Sequence, residues 1–456
     1  MTDILETNAT PMGAEERIDH VLGCLAENNT ETLEQWIADE HKTDIALVLE
    51  SLPPTQREQV WELVPEHKQA DILNEVGEVV LASLVEDMSA NEIASITGDM
   101  PADELVDLLD YLPEALAESV KAELSDEIRE RVEHHLSFDE GTAGRLMSSD
   151  VISVRSDVSL EVVIRYLRKR GELPDNTDSL TVVNRQGQYE GRLALQDLLT
   201  HQDETLVSDV MTHQDSSVIA AMPEDEVAAL FEDRDLLSVV VVDEQNMLLG
   251  RITVDDVVDI IREHADHQVM GMAGLDEEED LFAPVIPSAR RRAVWLGINL
   301  VTAFLASWVI GQFQGALDKL VALAVLMPIV ASMGGIAGSQ TLTLVIRGQA
   351  LGQIGRSNLR WLLKKEVLIG MLNGLLWAVV VAIIAWLWFK DAGIATVLGV
   401  AIVLNLIAAA ASGLFIPHIL KRFGIDPALS GSVILTTVTD VVGFMSFLGL
   451  ATLFLL

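Results

Sequence analysis

Five long apolar runs, at about 293–314, 320–346, 367–389, 394–419 and 430–456, dominate what this chain can fold into. Each exceeds the roughly 20 residues that a helix needs to cross about 30 Å of hydrocarbon. Lipid offers no partner for backbone amides, so each run is expected to be a membrane-spanning helix. Basic residues mark alternate ends. Arg290, Arg291 and Arg292 precede the first run, Arg347, Arg356, Arg360, Lys364 and Lys365 lie between the second and third, and Lys421 and Arg422 between the fourth and fifth. The other connections hold only Lys319, and Lys390 beside Asp391. Positive loops stay cytosolic, so the N-terminus is expected in the cytosol and the C-terminus outside, in a cell (inner) membrane. Met1 to Glu16 is polar and acidic, so no signal peptide is expected.

The net charge of −40 is unevenly spread. Residues 1–288 hold 65 acidic and 18 basic side chains, whereas residues 289–456 hold 5 and 12. Nucleic acid is excluded as a partner, because phosphates demand clustered Lys and Arg. The one cysteine, Cys24, excludes a disulfide framework and reads as a small buried apolar residue. From about 15 to 135 the apolar residues recur three and four apart, as in Leu105-Val106-Asp107-Leu108-Leu109, which is helical spacing. Pro53 and Pro65 lie 12 apart, Pro101 and Pro113 likewise, and the two pairs are offset by 48. Proline is tolerated in a first helical turn, so these positions predict starts of short helices stacked as a repeat. The expected domain is 1–137.

Between 138 and 260 the pattern changes to strands. Val182-Val183-Asn184-Arg185-Gln186-Gly187-Gln188-Tyr189-Glu190-Gly191-Arg192 matches Val241-Val242-Asp243-Glu244-Gln245-Asn246-Met247-Leu248-Leu249-Gly250-Arg251 at an offset of 59. Each copy reads as strand, turn, strand and helix. The two copies resemble a tandem pair of CBS domains, which implies an α/β fold and a regulatory ligand, ATP being a candidate. A connector is expected at 261–288, with a helical start at Arg262 and the acidic patch Asp276 to Asp280, and the membrane domain at 289–456.

An ionisable group inside a span costs at least about 2.5–3.5 kcal/mol on insertion scales and marks function. The fifth run contains one, in Thr436-Thr437-Val438-Thr439-Asp440-Val441-Val442-Gly443, with no cation in the run to neutralise Asp440. A carboxylate near hydroxyls and carbonyls suits a hard cation; a protonated packing residue is the plainer reading. In the second run, Pro328 and the glycines 334, 335 and 338 can free carbonyls from the helix ladder toward a polar path, or serve close helix packing.

With Asp426-Pro427-Ala428-Leu429-Ser430-Gly431, these segments resemble the MgtE family of magnesium channels and transporters over essentially the whole chain. The resemblance implies a multidomain fold: an all-α helical-repeat N-domain, an α/β CBS pair and an α-helical five-span membrane domain. It implies a homodimer with one pore, a pore aspartate at Asp440, a cytosolic-mouth aspartate at Asp426, and pore carbonyls near Gly335 and Thr436. Ile336 stands where the family's GGNAG pattern has Asn. The resemblance further implies that intracellular Mg²⁺ bridges acids to hold the pore shut. These would be Asp103 and Asp107 in the N-domain, Asp225, Asp235, Asp256 and Asp259 in the second CBS domain, and Glu263 and Asp266 in the plug helix. There His264, His267 and Gln268 replace family acids; imidazole is a poor Mg²⁺ ligand and could add pH sensitivity.

The function this implies is Mg²⁺ import, gated shut by Mg²⁺. A broader Co²⁺ or Mn²⁺ carrier and a membrane-anchored CBS sensor that does not transport are the alternatives. No enzyme is expected, since HExxH, GxSxG, CxxC and GxxxxGK[ST] are all missing.

Overall fold

The computed structural model describes residues 12–85, 88–174, 176–213, 217–275, 280–355 and 357–456. The chain divides into two compact units, Met1–His264 with Glu278–Pro284, and Ala265–Glu277 with Val285–Leu456.

The first unit opens with ten α-helices among the described residues, from Ala14–Ala26 to Asp126–Leu136. Apart from the second, which packs on the first, each packs on the next but one. The third (Lys42–Glu50) meets the fifth (Glu66–Leu73), which meets the seventh (Ala90–Ile96) and then the ninth (Glu114–Glu123). The fourth (Pro54–Trp61), sixth (Glu78–Val85), eighth (Ala102–Tyr111) and tenth form the other row. Two such rows enclose one apolar core that includes Ile37, Ile45, Leu49, Ile72, Leu81, Ile93 and Leu105. Pro53, Pro65, Pro101 and Pro113 are the N-caps of the fourth, fifth, eighth and ninth helices. The 48-residue offset is therefore a period of four helices. Among the described residues, three polar side chains lie deep in this stack, Arg57, Thr97 and His135; Arg57 donates to the Leu49 and Leu52 carbonyls, to Ser83, and at 2.8 Å to Asp280.

The CBS pair forms two sheets. In each, a short strand (Ser153–Arg155, Ser217–Ile219) runs parallel to a central one (Ser179–Val183, Ser238–Val242), which pairs antiparallel with the next (Tyr189–Ala194, Leu248–Thr253). Register shifts fall at Val182/Val183 and Val241/Val242, equivalent places in the repeat. The turn between the paired strands needs one left-handed residue. Gly187 (φ 87°) supplies it in the first copy and Asn246 (φ 63°) in the second, the two residue types that enter this region at least cost. The two turns also bind each other: Tyr189 N donates to Asn246 O at 2.9 Å and Leu248 N to Gly187 O at 3.3 Å.

The connector is longer than the sequence suggests. The last helix of the second CBS copy continues without a break from Val254 to Met272, because no Gly or Pro interrupts the apolar spacing at 260–270. It leaves the first unit after His264.

The second unit contains five helices long and apolar enough to cross a membrane among the described residues: Val285–Gly311, Val321–Ala350, Leu359–Phe389, Ala392–Arg422 and Pro427–Phe454. The fourth is central, packing on the second, third and fifth. The second helix is continuous through Pro328, so the proline removes one donor, that for the Ala324 carbonyl, and the glycines leave the ladder intact. Gly334 and Gly338 face neighbouring helices, whereas a Cβ at Gly335 would meet nothing within 4 Å. Of the two readings of these glycines, close packing holds for Gly334 and Gly338.

Candidate functional site

In the second unit, Gly335, Ile336, Ser339 and Gln340 of the second helix and Thr436 and Asp440 of the fifth line one cavity of about 950 Å³. The spacing explains the wall: residues three and four apart share a helix face, so 332, 335, 336, 339, 340 and 343 form one stripe, opposite 436 and 440. Asp440 is half-buried on that wall. The other two hydroxyls near it in sequence are not on that wall. Thr439 is fully buried and donates to the Thr436 carbonyl at 3.0 Å, while Thr437 donates to the Val433 carbonyl at 2.7 Å. Of the three, only Thr436 lines the cavity. Ile336 is 59 % exposed there.

Asp426 is the N-cap of the fifth helix. It accepts from the Ala428 and Leu429 amides, both at 3.0 Å, and lies 3.0 Å from His267 Nε2 on the connecting helix. Fourteen residues separate it from Asp440, about 21 Å at 1.5 Å per residue. It belongs to a different place from the cavity. Asp266, beside His267, is exposed.

The first unit gathers most of the other acids. Asp103 is pushed up to about 7, first by burial and then by the charges of Asp256 and Glu104. Asp107 is also pushed up to about 7, by withdrawal from bulk water and by Asp103, with Arg145 opposing. Burial and neighbouring carboxylates raise Asp256, Asp259 and Glu263 as well. Glu75, Glu104 and Asp110 act on the same group, and sequence reasoning missed them because they lie on separate helices. Asp225 adjoins this group through Glu224 and His264, both of which act on Glu263: His264 Nε2 is 3.3 Å from Asp225 Oδ1 and 3.8 Å from Glu224 Oε1. One donor atom from each of the three lies within 4.8 Å of the others. The Glu224 carboxylate, an acceptor for the imidazole N–H, raises the His264 pKa. Asp235 is exposed in a left-handed conformation (φ 51°) at the end of the Glu224–Arg234 helix.

Two membrane-embedded polar residues also escaped the sequence reading. Glu366, 5 % exposed at the start of the third helix, accepts from Thr341 Oγ1 at 3.2 Å. Asn405, fully buried in the fourth, donates to the Val330 carbonyl at 2.8 Å. A scan for ionisable groups inside the expected spans passes over a neutral amide, and it passes over a glutamate one residue outside 367–389.

Five helices able to cross a membrane, a carboxylate on an oxygen-bearing groove and a strongly acidic first unit define a multi-pass membrane protein suited to a hard cation. Residues 327–450 match a family described as "MgtE: Divalent cation transporter", residues 40–141 the "MgtE intracellular N domain", and residues 143–204 and 207–263 the CBS domain. The chain is 30 % identical over 436 residues to "Magnesium transporter MgtE" of Thermus thermophilus, covering 94 % of this chain and 97 % of that one. It is 29 % identical to the Bacillus subtilis protein of the same name, covering 70 % and 71 %. A solved structure of the cytosolic domain of the Mg²⁺ channel MgtE in complex with ATP aligns with TM-score 0.50 and 28 % identity, covering 53 % of this chain and 99 % of that one. The chain belongs to the MgtE family of magnesium transporters.

Proposed function

We propose that this protein carries Mg²⁺ into the cytosol along the groove between its second and fifth membrane helices. It does so as a homodimer whose two Asp440 carboxylates face one pore. The observation that carries this reading is Asp440 on the groove wall, with Thr436, Ser339 and Gln340 as oxygen donors nearby. Mg²⁺ sheds water reluctantly and prefers six oxygens. Carboxylates and hydroxyls at this spacing suit a largely hydrated ion, with the Gly335 carbonyl reached through water where no side chain blocks it. Asp426 takes the cytosolic mouth. Alternating basic loops support a cytosolic N-terminus and an external C-terminus in the cell inner membrane.

Regulation belongs to the acids of the soluble domains. Asp103, Asp107, Asp256, Asp259 and Glu263 repel one another unless a cation lies between them; Asp225, Asp235 and Asp266 extend the set. Mg²⁺ that binds the closed form more tightly shifts the population toward it. The domains doing this are 1–137, 138–260 and the connector. ATP at the CBS pair belongs to the same proposal; Arg251 and Thr177, 3.4 Å apart at the junction of the two copies, supply the donor types that phosphates need.

Flux of Mg²⁺ into liposomes holding the full-length protein tests both parts. Asp440→Asn is expected to abolish flux without lowering the melting temperature; near-normal flux would remove the pore assignment. Millimolar Mg²⁺ on the soluble-domain side is expected to suppress flux, and indifference to it would remove the regulatory one. Broader Co²⁺ or Mn²⁺ transport is the second reading, favoured by the apolar Ile336 on the groove wall, and ion competition in the same assay separates the two.

A further inference from the structure

Asn405 is a polar side chain where an apolar one would pack. It is completely buried in the most enclosed membrane helix, its Nδ2 bound to the Val330 carbonyl and its Oδ1 without a partner among the described residues. A buried amide with an unsatisfied acceptor is costly, so its place calls for a compensating role. Its surroundings supply one. A Cβ on Gly334 would lie 2.2 Å from Asn405 Nδ2, and a Cβ on Gly443 would lie 2.8 Å from the same atom. Three helices therefore meet on this one amide: the second through Val330 and Gly334, the fourth through Asn405, and the fifth through Gly443. Gly334 immediately precedes Gly335 on the groove wall. Gly443 lies less than one turn beyond Asp440. By gripping one carbonyl of the second helix and filling notches in both pore-lining helices, the amide fixes their rotation and the distance between them.

We propose that Asn405 is a positioning residue for permeation, setting the spacing between the Gly335 and Asp440 walls and hence the discrimination between hydrated divalent ions. The inference rests on the reading of the groove as the ion path. Small changes in wall spacing matter here because Mg²⁺ tolerates little departure from octahedral geometry, whereas transition ions of similar charge accept other ligand arrangements.

The test compares Mg²⁺ and Co²⁺ flux through the full-length protein in liposomes, for wild type, Asn405→Leu, Asn405→Ser and Asp440→Asn. Leu removes the hydrogen bond at similar bulk; Ser keeps a donor and, being smaller, avoids overpacking should Leu disturb the fold. The Mg²⁺-to-Co²⁺ flux ratio is expected to fall at least tenfold in Asn405→Leu while Co²⁺ flux persists. In Asn405→Ser it is expected to fall about threefold. A purely structural role would lower both fluxes in proportion, and an unchanged ratio in Asn405→Ser overturns the inference even if the Leu variant does not fold. An absence of wild-type flux, or full flux in Asp440→Asn, would instead overturn the groove as ion path. Wild-type flux that Asp440→Asn abolishes, with an unaltered ratio in both Asn405 variants, would overturn the positioning role alone.

Discussion

Replacing Arg57 with Met tests how the linker ahead of the first membrane helix is held. The guanidinium and Asp280 are 1 % and 3 % exposed, so the substitution strands a buried carboxylate and takes a donor from the Leu49 and Leu52 carbonyls. Breaking a buried ion pair from one side costs about 3–5 kcal/mol. At roughly 1.4 kcal/mol per decade, amide hydrogens in the Lys42–Glu50 and Pro54–Trp61 helices should exchange about two to three and a half orders of magnitude faster. Hydrogen exchange with mass spectrometry on full-length protein reads this directly, without assuming that the two units unfold together. Asp280→Asn keeps the shape and loses the charge, and should fall between. The double variant Arg57→Met/Asp280→Leu removes both partners and should recover most of the loss, since apolar replacement of a buried pair is often neutral. Acceleration of less than tenfold in Arg57→Met would refute the reasoning, as would a double variant no better than the single.

Two further outcomes follow from the acidic group and the helix packing. Asp103 and Asp107 are pushed up to about 7 in the folded state against about 3.9 unfolded. Stability of the metal-free protein should therefore fall as pH climbs from about 4 to about 7, then level off; Mg²⁺ must displace those protons, so the rise in melting temperature on adding Mg²⁺ should be larger at pH 8 than at pH 6. Asp103→Asn should flatten both trends, and an equal Mg²⁺ response at both pH values would count against the cluster. In the membrane unit, a Cβ at Gly413 would lie 2.8 Å from the Gly338 carbonyl oxygen; Gly413→Val should lower the melting temperature in detergent sharply, while Gly335→Ala, facing open space, should not.

The sequence was most readable where one residue fixes local geometry. Prolines mark helix starts because the ring presets φ, so Pro53, Pro65, Pro101 and Pro113 announced four of the helices. Apolar length sufficed for the five membrane helices, and the lone carboxylate at 440 for the groove. What it concealed depends on distant packing. Arg57 and Asp280 are 223 positions apart, and no local pattern joins them. Glu224 and His264 come together only because the repeat folds one helix against another. The connector's true start was hidden because its spacing simply continues that of the preceding helix.

The mutual grip of the two CBS turns has a consequence for how this module arose. Tyr189 N to Asn246 O and Leu248 N to Gly187 O are the same bond made twice under a 59-residue shift, which is the contact of a two-fold symmetric dimer, self-complementary by construction. Duplication within one chain replaces a collision between two molecules with a tethered encounter, at an effective concentration set by the linker. A single copy cut free would regain that open edge and pair with its twin. Once tethered, the halves no longer had to remain identical, and one turn carries glycine where the other carries asparagine.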